Sequence, residues 1–196
     1  MKETIRQKVL EAKRRVVLEE TAGIFENEGF TALKIQEIAE KLDMSVGALY
    51  NMFGSKEGLY LAYIEDQIRH FQERLAQACA ASPDARACLV HFVRLKFAAF
   101  SQKRKAIEDP VGGDPLFFLK TNSRLTETLC PIYDHLAVIF EKLHESEQLK
   151  ERDFLKVAHL FNAFTTGYVE YWLGSKKSLD ESPETVVARF LEGMKA

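Results

Sequence analysis

The fold is decided by one stretch, Thr31-Ala-Leu-Lys-Ile-Gln-Glu-Ile-Ala-Glu-Lys-Leu-Asp-Met-Ser-Val-Gly-Ala-Leu-Tyr-Asn-Met-Phe-Gly-Ser-Lys-Glu-Gly-Leu-Tyr60. Its first half predicts a helix of about two turns, because apolar side chains recur on one helical face. Those side chains are Ile35, Ile38, Ala39 and Leu42. Asp43-Met44-Ser45 interrupts the pattern, and Ser45 is a good N-cap because its hydroxyl can accept from the free N–H groups of the next turn.

A second, shorter helix is predicted from Val46 to Met52, held to the body of the protein by Leu49 and Phe53. Small residues and a tyrosine are left for its open side, where the backbone can closely approach a base edge or a phosphate. These residues are Val46, Gly47, Ala48, Tyr50 and Asn51. Two short helices at a tight corner predict a helix-turn-helix, whose second helix lies in the major groove of DNA. The alternative is two packed helices of an ordinary bundle.

The register of these residues resembles the DNA-binding domain of the TetR family of transcriptional regulators, over roughly residues 5–62. The resemblance is carried by Gly29-Phe30, Ile35-x-x-Ile38-Ala39 and Ser45-x-Gly47-Ala48-Leu49-Tyr50-x-x-Phe53-x-Ser55-Lys56-Glu57. It implies that Tyr50 and Lys56 contact phosphates and that the start of the second helix reads or approaches bases. The DNA-binding residues predicted in this way are Lys34, Ser45, Val46, Gly47, Ala48, Tyr50, Asn51 and Lys56.

The chain departs from the family's pattern at three places. Leu33-Lys34 stands where Thr-Ser or a similar pair is common, so the usual hydroxyl contact to phosphate is missing and Lys34 could replace it with an ionic one. Ala48 stands where threonine is frequent, and Thr21 where a tightly packed alanine is usual in the first helix. None of these departures breaks the motif, but together they leave the operator sequence open.

The composition is ordinary for a soluble globular protein, and the net charge by itself argues against general nucleic-acid binding, so the distribution of charge matters more. The chain has 196 residues, 46% of them hydrophobic, and a net charge of −2. Residues 1–15 carry six basic and two acidic side chains, so this arm is +4 and the remainder −6. A basic arm beside a groove-sized helix provides a phosphate footprint. The alternative reading of the arm is a solvated helix face.

Several classes of protein are disfavoured. No apolar run approaches the ~18 residues of a membrane span, and Met1–Lys8 lacks the apolar core of a signal peptide. We therefore expect a cytoplasmic protein with no membrane partner. The three cysteines form no CxxC pair, which favours buried, inert thiols over a zinc site or disulfide framework. A redox role for Cys79 and Cys88 stays open, because both lie near a predicted helix junction.

The whole chain is predicted to be all-α, with a helix-turn-helix DNA-binding domain at 1–55 and a helical ligand-binding and dimerisation domain at 56–196. The first helix is expected to begin at the capping box Thr4-x-x-Gln7. The later helices are expected at 56–80, 85–101, from 116, at 123–146 with a kink at Pro131, at 153–173 and at 183–195. A breaker-rich loop or pocket lid is expected over 102–115.

The helix at 153–173 is apolar nearly all round, which predicts burial on more than one side. We therefore expect the last two helices to form a two-fold symmetric dimer interface, in agreement with the two-fold operators of helix-turn-helix dimers. The TetR resemblance implies the same arrangement. The candidate interface residues are Phe161, Ala163, Phe164, Gly167, Val187, Phe190 and Leu191.

A pocket for a small, largely apolar molecule is expected among the aromatic residues of the second domain. His159, Asn162 and Thr166 are the polar groups on that apolar helix that most need a partner, although core packing is the alternative for each. The candidate ligand-binding residues are Phe92, Phe100, Phe117, His159, Asn162 and Thr166. The resemblance implies an inducer in the helical body and, most commonly, a repressor; no cofactor is predicted.

Two other functions compete with the DNA-binding regulator. A metal-dependent all-α enzyme is disfavoured because the five histidines form no HExxH pair and no nucleophile elbow occurs. A helical protein-interaction module would explain the acidic body, but it would leave Tyr50, Lys56 and the basic arm without a role.

Overall fold

The structure is a computed structural model that describes residues 2–81, 84–102, 115–147, 149–175 and 179–195. The side chains of residues 2–3, 115–126, 145 and 147 are not described. The helices, numbered in chain order, are α1 (Lys2–Asn27), α2 (Ile35–Lys41), α3 (Val46–Phe53), α4 (Lys56–Ala81), α5 (Ala85–Gln102), α6 (Pro115–Glu147), α7 (Phe154–Ser175) and α8 (Pro183–Gly193). The described residues contain no strand, which confirms the all-α prediction.

The described chain divides into two compact units. Residues up to Gln67 and residues 115–123 fall in the first, and Ile68–Gln102 together with the residues from Arg124 onward fall in the second. Helix α4 contributes residues to both units, because the division lies inside it. Each unit has its own hydrophobic core.

An aromatic cluster fills the core of the first unit. The Phe25 ring centroid lies 5.0 Å from those of Tyr60 and Tyr63, and Phe30 packs edge-on against Tyr60 at 5.3 Å. Phe25 belongs to α1, Tyr60 and Tyr63 belong to α4, and Phe30 lies in the segment before α2. The cluster therefore joins the elements that flank α2 and α3. The Tyr63 hydroxyl donates to Glu26 Oε1 at 3.1 Å, and its burial and that carboxylate raise the pKa of Tyr63.

Thr21 explains how the first unit accommodates one departure from the family's pattern. Its side chain is fully buried, yet its hydroxyl donates to Val17 O at 2.9 Å and Leu18 O at 3.2 Å within α1. The extra polar atom is thus satisfied by its own helix.

Helix α1 itself begins at Lys2, so the predicted start at the capping box of Thr4 is wrong: Thr4 lies inside the first turn.

The second unit is built around three phenylalanines. The ring centroids of Phe140, Phe161 and Phe190 lie 5.0–5.9 Å apart, and the three rings belong to α6, α7 and α8. Substituting such a ring with alanine typically costs ~3–5 kcal/mol. Most of the apolar residues predicted on the last helix are buried in this core.

One helix boundary in α6 was predicted wrongly. Helix α6 runs without a break from Pro115 to Glu147, where the sequence suggested one helix from 116 and another from 123. Residues such as Asn122 and Ser123 are weak helix formers, but neither breaks a helix. Pro131 lies inside α6. The predicted loop over 102–115 lies almost wholly outside the described residues.

Candidate DNA-binding and ligand-binding sites

The corner between α2 and α3 is built as the sequence predicts. Asp43 adopts a left-handed backbone (φ 50°), and the Ser45 hydroxyl accepts the Ala48 N–H at 3.1 Å. That bond satisfies one of the free donors at the start of α3. Gly54, at φ 80°, ends α3 in a conformation that a residue with a Cβ would adopt only under strain. Both ends of the short helix are therefore fixed locally.

The residues predicted to face DNA divide into two groups by exposure. Ser45, Gly47, Tyr50 and Asn51 are exposed, whereas Val46 and Ala48 are half-buried. Leu49 is buried, so α3 is held to the body as expected, and Val46 also packs against the core of the first unit. Tyr50 is 44% exposed, so its ring contributes little to the core. The exposed side of α3, which includes Tyr50, is therefore accessible to a binding partner.

A lysine at each edge of the motif already has a contact within the chain. Lys34 pairs with Glu37 at 2.7 Å; the hydrogen bond with that carboxylate raises the pKa of Lys34. Lys56 Nζ donates to Thr31 O at 3.3 Å and lies 4.6 Å from the Phe30 ring centroid. Lys56 therefore ties the start of α4 to the segment before α2. Contacts from either lysine to phosphate stay predictions.

Arg14 has a role that sequence reasoning missed. Its guanidinium donates to Met52 O at 2.8 Å and lies 4.7 Å from the Phe53 ring centroid. A cation at the carboxyl end of a helix is favoured by the helix dipole. Arg14 was counted only as a charge of the basic arm, but here it fixes the end of α3. Its neighbours lie 38 residues along the chain, so no local pattern could show this.

Gly58 lets α4 begin directly behind α3, and we expect Gly58→Ala to damage the first unit. A Cβ built at Gly58 would lie 2.0 Å from the Phe53 carbonyl oxygen, so the backbone would have to shift. We expect a loss of ~1–3 kcal/mol or more in unfolding free energy, as for other overpacked sites. Urea unfolding followed by circular dichroism would measure it.

Gly23→Ala is the matched control for that experiment. Gly23 is exposed in α1, and a Cβ there would meet nothing within 4 Å. Replacing such a glycine with alanine favours a helix by ~0.8–1 kcal/mol. Equal stability changes in the two variants would contradict the close approach of α4 to Phe53.

In the second unit, the predicted ligand-binding residues surround a buried lysine. Lys96 on α5 is only 7% exposed, and its Nζ contacts Asn162 and Thr166. Asn162 Nδ2 donates to Tyr133 Oη at 2.9 Å, and the Tyr133 ring stacks on His159 with centroids 3.8 Å apart. The three polar residues predicted on α7 thus belong to one side-chain network, centred on a lysine that the sequence analysis did not single out.

The predicted aromatic ligand contacts do not form one group. Phe92 is buried in the core of the second unit and packs against Phe71 and Phe161. Phe100 is half-buried against the same core. Phe117 lies in α6, but its side chain is outside the part of the chain that the structure describes. A ligand-binding role for all three stays a prediction.

Four of the residues predicted for the dimer interface need correction. Phe161, Val187, Phe190 and Leu191 are buried in their own chain's core. An apolar stripe looks the same whether it packs within a chain or between chains, so the pattern alone could not separate these cases. Ala163 and Gly167 lie exposed on α7, and Phe164 is half-buried beside them.

The buried lysine gives stability a predicted dependence on pH. Burial lowers the pKa of Lys96 from 10.5 to about 7, while the charge of Glu170 opposes the shift. Between these values the unfolded chain binds more protons, so we expect stability to rise with pH from about 7 toward 10.5, by a few kcal/mol in order of magnitude. Below that window both states are protonated, and above it both are neutral.

Urea unfolding of the native chain and Lys96→Met at pH 7, 8 and 9 would measure this effect. The difference in unfolding free energy between the two should move in favour of the native chain as pH rises. A difference that does not change with pH would contradict the lowered pKa of Lys96.

The described residues hold no group of three or more histidine, cysteine or acidic side chains that is arranged to bind a metal ion. None of the helices within the described ranges is both long and apolar enough to cross a membrane.

The corner, the open face of α3 and the cap at Ser45 define a helix-turn-helix protein. Residues 17–63 match the family described as bacterial regulatory proteins, tetR family. Over these residues the chain resembles the DNA-binding domain of the TetR family of transcriptional regulators. No curated protein matches the chain.

Solved structures share the fold over nearly the whole chain. A transcriptional regulator from Cytophaga hutchinsonii is 19% identical, with a TM-score of 0.68 and coverage of 94% of this chain and 99% of that one. FadR from Thermus thermophilus, a TetR-family transcriptional repressor in complex with lauroyl-CoA, is 21% identical, with a TM-score of 0.67 and coverage of 93% and 95%. FadR from Bacillus subtilis, in complex with stearoyl-CoA, is 15% identical, with a TM-score of 0.65 and coverage of 92% and 96%. At these identities the likeness establishes the fold.

Proposed function

We propose that this regulator is a homodimeric repressor that binds a two-fold symmetric operator and is released from it by a small, largely apolar molecule. The observation that carries the DNA-binding part is the open face of α3, where small residues are followed by Tyr50, 44% exposed and with little packing value of its own. Phosphate contacts from Tyr50 and Lys56 would position α3, and residues 46–51 would lie over the bases.

The homodimer is supported by a stripe on α7 that faces away from its own core. Leu160 is 45% exposed and Tyr171 is 63% exposed, and Ala163 and Gly167 lie between them at helical spacing. We call these four residues the α7 stripe. Large exposed apolar side chains in one line are typical of interfaces, and the small residues would let two helices approach closely. Dimers are also general in the TetR family.

Release by a ligand is supported by the second unit's aromatic residues and by the FadR relatives that hold acyl-CoA molecules. The mechanism is a population shift. Free dimer would hold its two recognition helices about one DNA turn apart, ~34–36 Å. A ligand that prefers another setting of α4 would lower DNA affinity by its differential affinity for the two states, typically ~1–3 kcal/mol of coupling. A ligand that binds tightly without changing DNA affinity would contradict this.

The salt dependence of DNA binding separates this proposal from a protein-interaction module. We expect the purified chain to bind random-sequence duplex DNA at low salt, with an affinity that falls steeply as salt rises, because phosphate contacts release counterions. Tyr50→Ala should reduce both the affinity and the slope. Absence of DNA binding at low salt would favour the interaction module.

A further inference from the structure

Lys96 is the most unusual side chain of the second unit, because it is buried and charged groups rarely are. Four oxygens lie within hydrogen-bond distance of its Nζ atom: Asn162 O at 2.9 Å, Asn162 Oδ1 at 2.8 Å, Thr165 Oγ1 at 2.9 Å and Thr166 Oγ1 at 2.7 Å. An ammonium has three N–H donors. The shell therefore offers one acceptor more than Lys96 can use.

The hydroxyl and amide protons of this shell are directed elsewhere. Thr165 Oγ1 donates to Phe161 O or Asn162 O, and Thr166 Oγ1 donates to Asn162 O. Asn162 Nδ2 donates to Tyr133 Oη. The oxygens thus present only lone pairs to Nζ. A neutral amine would find no donor for its own lone pair, so the geometry is that of an ammonium site.

No acidic side chain of the described residues lies close enough to match the charge of this ammonium. Among the described residues no carboxylate forms an ion pair with Lys96, and Glu170 acts on it only as a more distant charge. Neutral oxygens satisfy the hydrogen bonds but do not cancel the charge. A buried charge is normally compensated by an opposite one. No described side chain of the protein supplies that compensating anion.

We propose that an acid group of the regulator's ligand supplies that anion, so that the ligand is an amphiphilic acid with a carboxylate head at Lys96 and an apolar body. This inference rests on the proposed function, since it specifies the ligand's chemistry. If two of the four neutral oxygens turn away, one N–H of Nζ becomes available to the carboxylate while the other two stay bonded. Asn162 and Thr166 are half-buried, whereas Thr165 is buried, so the carboxylate enters from the side of Asn162 and Thr166.

The surroundings of Lys96 fit the two ends of such a molecule. Nζ lies 5.8 Å from the Phe92 ring centroid, and Phe92 packs against Phe71 and Phe161. Asn162 links Nζ to the hydroxyl of Tyr133, whose ring stacks on His159. The phenylalanines suit an apolar chain, and the tyrosine and histidine suit a polar head.

The lowered pKa of Lys96 agrees with an acidic ligand at this site. Burial lowers the pKa of Lys96 to about 7, so Lys96 only weakly retains its proton near neutral pH. A carboxylate beside Nζ would raise that pKa, because an opposite charge favours the charged form. Ligand and proton therefore favour each other at this site.

The test compares straight-chain acids with their uncharged amides. Octanoate, decanoate and dodecanoate, with the corresponding primary amides, would be titrated into the full native chain by calorimetry below their aggregation concentrations. At least one acid should bind about tenfold or more tightly than its amide. Lys96→Met should remove that preference. Lys156→Met, which removes an exposed lysine of the same helix bundle, should retain it.

Three results would overturn the inference: equal binding of acid and amide to the native chain, an acid preference that survives Lys96→Met, or no binding of any of the three acids. The first and third need no variant, so they stand even if Lys96→Met fails to fold. DNA binding measured on the same native preparation separates this inference from the function beneath it. Intact DNA binding without acid preference overturns only the ligand assignment, whereas absent DNA binding overturns the regulator.

Discussion

Removing the Tyr50 hydroxyl is expected to weaken operator binding by about 10- to 100-fold, because hydrogen bonds to charged groups contribute ~1.5–3 kcal/mol. The ring is 44% exposed at the open side of α3, and the described structure gives its hydroxyl no hydrogen-bond partner within the chain. Tyr50→Phe keeps the ring and the helix, so the loss would report the phosphate contact itself. Fluorescence anisotropy on a labelled operator would measure the change.

Native protein measured in parallel is the reference for this substitution. If Tyr50→Phe leaves operator affinity unchanged, Tyr50 makes no contact with the DNA backbone.

A glutamate in the α7 stripe is expected to separate the dimer and abolish operator binding. Nothing lies within 4 Å of a Cβ built at Gly167, so Gly167→Glu should leave the fold of each chain intact. In a two-fold interface the substitution brings two carboxylates into one apolar seam, and an unpaired buried charge costs ~3–5 kcal/mol. Sedimentation equilibrium should show a monomer, and operator affinity should fall by more than about 100-fold.

Gly23→Glu provides the comparison for Gly167→Glu. Gly23 is exposed in α1, its Cβ position is also open, and the chemical change is identical. This variant should stay dimeric by sedimentation. A dimer that persists in Gly167→Glu would show that the α7 stripe is not the interface.

The first unit could be predicted from the sequence because the residue patterns that specify it are local. The apolar spacing of α2, the cap at Ser45 and the exposed Tyr50 all act within a few residues, and the structure bears each of them out. Arg14 could not be predicted in the same way, since its contacts with Met52 and Phe53 form only after α1 and α3 have packed.

The second unit was less predictable for a physical reason. Lys96 looks like an ordinary exposed lysine of an amphipathic helix, and its acceptors lie 66–70 residues away on α7. The polarity of Asn162 and Thr166 indicated that they needed partners, but not that the partner was a cation. Likewise, the apolar stripe of α8 indicated burial without telling whether it was buried by its own chain or by a second one.

The central claim is that this chain recognises a two-fold symmetric operator through α3. The most direct measurement is selection of binding sites from a random duplex library by the purified native protein, with Tyr50→Ala treated in parallel. The account predicts enrichment of one inverted repeat whose half-sites are spaced by about one helical turn, and no enrichment by the variant. A recovered site without two-fold symmetry, or equal enrichment by native protein and Tyr50→Ala, would contradict it.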